Sequence, residues 1–169
     1  RMALPKIISE TSVGMILNPY FSSTVGKILG GNTITSMSRD LSKPLFIPKG
    51  GQAIDRIIVP YQGTGHAALA LEIAIDVAKQ VKASITVATV AEPEFLTGKQ
   101  TSSGADWTLN HAKQVAKICD FPVETIKLDG NPVLESVKAA TGHDLMVLGL
   151  SRRKKNIINP NVAEHLVEK

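Results

Sequence analysis

The sequence predicts an α/β fold with a doubly wound parallel sheet, on three observations. First, between residues 52 and 149, short β-branched runs alternate with stretches of helical period. Strands joined by helical crossovers pair in parallel. Second, aromatics make up 4% of a chain that is 43% hydrophobic, so Ile, Val, Leu and Ala must build the core, as under a buried parallel sheet. Third, a strand–loop–helix pattern occurs nearly complete at residues 143–169 and again at residues 13–41. The helix-opening residues Asn32 and Asn161 lie 129 positions apart, about the length of one small α/β domain.

The elements follow in order. Ala3 to Glu10 reads as a helix end limited by Pro5, Val13 to Leu17 as a strand and Ile34 to Leu41 as a helix. Pro44-Leu45-Phe46-Ile47-Pro48 is a short strand with proline at both ends, and Lys49-Gly50-Gly51 is a linker. Ile54 to Val59 is a strand stopped by Pro60, and Gly63-Thr64-Gly65 is a turn. Ala67 to Val81 repeats Ala70, Ile73, Ala74, Val77 and Val81 at helical spacing. Ser84 to Val90 is the next strand, and Glu92 to Ala105 reads as a polar loop because of Gly98, Ser102, Ser103 and Gly104. Asp106 to Cys119 returns to helical period, and Val123 to Leu128 is a third strand. Pro132 suits the first turn of a helix that Gly142 caps, and Leu145 to Leu148 is a fourth strand. The chain thus reads as residues 1–50, the end of one unit, and residues 51–169, a second unit without its last strand. The doubly wound order 3-2-1-4(-5) sets the switch point between strands one and four, so a ligand belongs beside Gln62-Gly63-Thr64 and Gly149-Leu150-Ser151.

Composition narrows the function. The net charge of +4 is mild, and the basic residues are dispersed apart from Arg152-Arg153-Lys154-Lys155. No aromatic platform for stacking bases is evident, which argues against a nucleic-acid partner. One cysteine, Cys119, excludes an internal disulfide and fits a reducing compartment, hence the cytoplasm; a structural thiol is the expected role. No apolar run approaches the ~18 residues of a membrane span, and the start carries no signal-peptide pattern. The abrupt start fits a chain whose preceding part was cut away. His66, His111, His143 and His165 have no metal-like spacing, and no catalytic triad or carboxylate pair is legible, so the expectation is a chain that is not an enzyme.

Several segments together resemble the universal stress protein family. Ile57-Ile58-Val59-Pro60-Tyr61-Gln62-Gly63-Thr64 looks like its opening strand and turn, and Ile85 to Pro93 is similar to its second strand. Asp129-Gly130-Asn131-Pro132 and Asp144-Leu145-Met146-Val147-Leu148-Gly149 match its later turn and fourth strand. Residues 13–48 resemble the family's last third, with Gly31-Asn32-Thr33 where Gly-Ser-Val/Thr is usual. The resemblance implies a flavodoxin-like fold of the adenine nucleotide alpha hydrolase-like kind, present as a tandem with a partial first unit. It also implies a regulatory stress-response module whose ligand is ATP or another adenine nucleotide. The implied nucleotide-binding residues are Gln62, Gly63, Thr64, Thr89, Val90, Gly130, Asn131, Gly149, Ser151, Arg152, Asn161 and Val162.

Members that bind ATP carry a Gly-x2-Gly loop and then Gly-Ser/Thr, whose backbone N–H groups and hydroxyl cradle phosphates. Here Gly149 is kept, Arg152 stands at the next glycine, and Pro160-Asn161 replaces Gly-Ser. The first unit keeps Gly31 but has Asn18 and Phe21 at the leading glycines. Arg152 to Lys155 therefore reads either as a set of phosphate-holding charges or as a solvated basic loop. Asn32 and Asn161 read as ligand contacts or as plain helix caps, and Gln62 as a reader of the adenine or ribose edge or as a turn residue. The alternative function is a ligand-free interaction module that forms a homodimer or a tandem pair through the final-strand edge, Pro44 to Ile47. In tandem form it would suit the cytoplasmic tail of a membrane transporter, touching the membrane only indirectly.

Overall fold

The computed structural model describes residues 15–17, 44–47, 53–91 and 101–150. The sequence-read helices over Ala3 to Glu10 and Ile34 to Leu41, and the loop and terminal helix over 151–169, lie outside them. The chain divides into two compact units between Gln52 and Ala53.

In the first unit, β1 (Ile16–Leu17) pairs in parallel with β2 (Leu45–Phe46), Ile16 opposite Leu45 and Leu17 opposite Phe46. In the second, seven elements follow: β3 (Arg56–Pro60), α1 (Gly65–Val81), β4 (Ser84–Ala91), α2 (Thr101–Ile118), β5 (Glu124–Asp129), α3 (Pro132–Ala140) and β6 (Leu145–Met146). They form one parallel sheet of order β5-β4-β3-β6, which is the expected 3-2-1-4.

Strand alternation sorts the core into two faces. Ile57, Val59 and Tyr61 from β3 and its exit, with Ile85 and Val87 from β4, pack against Leu71, Ala74, Ile75 and Ala78 of α1. Leu109, Ala112 and Ala116 of α2 complete this cluster, and the small alanines let both helices lie close to the sheet. Ile58 and Ala88, at alternate positions, are buried on the opposite face, where a right-handed crossover places α3. The helix α3 packs on β3, β4 and β5.

Several boundaries differ from the sequence reading for identifiable reasons. Pro60 does not stop β3: it pairs with Ala88, and the Tyr61 amide then donates to the Ala88 carbonyl at 2.8 Å. Alternate residues bond alternate neighbours, so the missing proline N–H falls on the β6 side, where the ladder ends at Met146. For the same reason β6 is shorter than Leu145 to Leu148. The helix α1 starts at Gly65 rather than Ala67 because Thr64 caps it, its hydroxyl accepting from the Ala67 amide at 3.2 Å. The helix α2 starts at Thr101, not Asp106, so Ser102, Ser103 and Gly104 are helical rather than loop. Burial of Ala105 and Leu109 on the core outweighs the weak helix propensity of those residues. The end of α3 is capped by Thr141 in right-handed conformation, its amide donating to Lys138, so Gly142 is not the cap. Cys119 is half-buried at the margin of the core.

Candidate functional site

A parallel sheet brings every strand's carboxyl end to one edge. Here that edge gathers Tyr61-Gln62-Gly63-Thr64 after β3, Thr89 and Val90 at the end of β4, Gly130-Asn131 after β5 and Gly149 after β6. The crossover from β3 leads to β4 on one side, and the crossover from β5 returns past β3 to place β6 on its other side, so the carboxyl edge between β3 and β6 is the switch point at which α/β sheets hold ligands. Ser151, Arg152, Asn161 and Val162 lie outside the described residues.

Each described residue has a definite setting. Gly63 sits at φ +68°, a left-handed conformation that reverses the chain into α1, while Gln62 beside it is exposed. The Thr64 hydroxyl is engaged as the α1 cap. Thr89 is buried on the same sheet face as Tyr61, and Val90 is half-buried on the opposite one. Gly130, at φ +129°, turns the chain into Asn131. The Asn131 side-chain oxygen accepts from the amides of Val133 at 3.0 Å and Leu134 at 3.1 Å, which commits it to capping α3.

Gly149 makes the closest approach. A Cβ there would run into the His66 carbonyl and lie 2.8 Å from the Ala67 nitrogen. The chain leaving β6 therefore rests on the first turn of α1 with no side chain between them, joining the two sides of the switch point. At the opposite edge, Asp144 ties the strand starts together: one carboxylate oxygen accepts from the Asp55 amide at 3.1 Å and the Arg56 amide at 2.9 Å. These hydrogen bonds, that from Arg56 foremost, hold the carboxyl below its ordinary pKa.

Three residues that the sequence reading did not assign to the site stand at its rim. Tyr61 is fully buried, and its hydroxyl shares a 2.7 Å hydrogen bond with His111 Nδ1. Burial first, and the Glu72 carboxylate second, push its pKa up, keeping the phenol protonated. The His111 ring stacks on Trp107 with centroids 5.4 Å apart and planes 5° from parallel. The i,i+4 spacing of Trp107 and His111 on α2 was a visible signal. Their link to Tyr61, 50 positions away, had none.

Among the described residues, no group of three His, Cys, Asp or Glu is placed to hold a metal ion, and no helix is long and apolar enough to cross a membrane. A cleft of about 400 Å³ lined by Lys113, Lys117 and Phe121 lies at the other end of α2, away from the strand ends.

A sequence model of the universal stress protein family matches residues 53–169. The chain belongs to this family. Among solved structures, a universal stress protein from Archaeoglobus fulgidus DSM 4304 is similar at 20% identity and TM-score 0.69, over 97% of this chain and 60% of that one. The functionally unknown protein PA1789 from Pseudomonas aeruginosa PAO1 is similar at 16% identity and TM-score 0.69, over 99% and 65%. A universal stress family protein from Burkholderia pseudomallei is similar at 19% identity and TM-score 0.54, over 70% and 92%. No curated protein sequence matches. The universal stress protein fold is thus the flavodoxin-like, adenine nucleotide alpha hydrolase-like one, and this chain spans about two thirds or less of the first two neighbours.

Proposed function

We propose that this universal stress protein domain is a non-catalytic regulatory module that binds an adenine nucleotide at the crevice between β3 and β6. The observation that carries the reading is the seating of Gly149 on the first turn of α1, beside the Gln62-Gly63-Thr64 turn. It brings the loops after both switch-point strands to a helix N-terminus, whose amides and dipole favour phosphate. Gln62 is exposed there, so its carboxamide can meet a base or ribose edge. Arg152 to Lys155 follow Gly149 closely in sequence, and a run of four positive charges there favours a phosphate ligand.

The test is to denature freshly purified protein, analyse the released small molecules by mass spectrometry, and titrate ATP, ADP and AMP by calorimetry. Saturable binding with no ADP release above the buffer blank is expected. Binding of none of the three would overturn the reading, and steady turnover would overturn its non-catalytic part.

A second reading is an interaction module. Its support is the short strand β2, whose pairing with β1 is its one strand pairing among the described residues; in this reading its other edge takes another copy or unit. The reading extends to a tandem arrangement, which the recurrence of the strand–loop–helix pattern at residues 13–41 and 143–169 favours, and from there to a transporter tail. Light scattering distinguishes dimer from monomer, and a monomer at micromolar concentration would remove the homodimer.

A further inference from the structure

We propose that Trp107 is the stacking platform for the base of the bound nucleotide, an inference that rests on the reading of the β3/β6 edge as a nucleotide site. Trp107 stands against the turn that begins the site: a Cβ on Gly63 would lie 3.0 Å from its Cζ3 atom and 3.6 Å from the neighbouring Thr108 hydroxyl. The absence of a side chain at Gly63 is what lets the Cζ3 edge of the indole lie against this turn. One face of the indole is covered by the His111 ring, nearly parallel to it. Even so, the residue is 62% exposed, so much of the indole remains accessible to a ligand.

The ring is also held in place from behind. His111 stacks on it and hydrogen-bonds the hydroxyl of Tyr61, which is itself fully buried in the core. An aromatic side chain left in water but fixed at its back is prepared for a planar ligand, because its orientation is already set before binding. An electron-rich indole face suits a heteroaromatic base, and stacking needs no particular pattern of donors and acceptors. The platform therefore selects for a base-bearing nucleotide over bare phosphate and leaves recognition of the base edge to Gln62. This platform serves a single base and leaves the sequence argument against a nucleic-acid partner in place. One ring pair does not make the succession of platforms that a nucleic-acid strand requires.

Trp107 is the only tryptophan, so its fluorescence reports directly on the event. Calorimetry with ATP and with inorganic triphosphate is run on the full chain and on Trp107→Ala, Trp107→Leu and Trp107→Phe, with unfolding midpoints as the control for folding. ATP is expected to quench the wild-type emission. Trp107→Ala and Trp107→Leu should weaken ATP roughly 10- to 100-fold, and Trp107→Phe much less, while triphosphate affinity stays unchanged. If wild type binds ATP but Trp107→Ala binds it equally well, the platform is overturned and the nucleotide site stands. Equal loss of ATP and triphosphate affinity in Trp107→Ala would overturn it too, since the residue would then act on the shape of the site as a whole. If wild type binds no nucleotide, the site and the platform fall together.

Discussion

At Gly149 the constraint is steric, since a methyl group there would enter the backbone of His66 and Ala67 rather than the movable end of a side chain. The start of α1 is anchored by Thr64 and by the buried Ala67, Ala70 and Leu71, so it cannot easily give way. Gly149→Ala should therefore destabilise the second unit by about 3 kcal/mol, measured by urea unfolding. A loss within a few tenths of wild type would mean that β6 and α1 are not in this contact. Asp144 allows a different residue-scale prediction, based on pH. Its carboxyl is held below its ordinary 3.8 by the Arg56 and Asp55 amides, so the unfolded chain binds the proton more readily than the folded one. The stability it contributes is present above the unfolded value and lost as pH falls toward the folded one. In urea midpoints, wild type should exceed Asp144→Asn by a constant margin above about pH 5, and that margin should narrow below about pH 4. A margin that stays fixed down to pH 3 would show that the carboxylate is not what the two amides hold.

Elements were more legible in this chain than their ends. The strand order followed from four apolar runs separated by helical periods, because parallel pairing leaves few topologies. The α3 start was readable from Asn131-Pro132, since proline fixes the first turn and an Asx side chain satisfies the open amides. The start of α2 was not, because Ser102, Ser103 and Gly104 are locally poor helix formers and only packing decides for them. The site followed the same division. Gly63, Gly130 and Gly149 could be placed at strand ends from sequence, whereas the Tyr61–His111–Trp107 arrangement depends on a contact across 50 positions. The cap on α3 gives the element-scale prediction. Asn131→Ala removes the acceptor for two amides and should cost about 1 kcal/mol, whereas Asn131→Asp should retain most of it and favour the helix dipole. Equal losses in the two variants would assign the effect to the turn at Gly130 instead of the cap.

For the whole molecule, the division between Gln52 and Ala53 matters more than any single contact. All the described residues of the proposed site belong to the second unit, as does Trp107. A ligand that binds only the folded second unit stabilises that unit by mass action, by about 2.7 kcal/mol at a hundredfold excess over Kd. For a unit of this size the shift in melting temperature is on the order of 10 °C. Trp107 is the only tryptophan, so its emission follows the melting of the second unit alone, while far-ultraviolet circular dichroism follows the whole chain. With saturating ATP, the tryptophan-detected transition should move upward by that amount. If the first unit melts independently, a second, unshifted transition should remain in the dichroism. A single transition shifted equally in both signals would mean that the units unfold together and that the ligand's stabilisation is shared across the chain. An unmoved tryptophan transition at a concentration shown by calorimetry to saturate would place the nucleotide outside the second unit and remove the β3/β6 edge as its site.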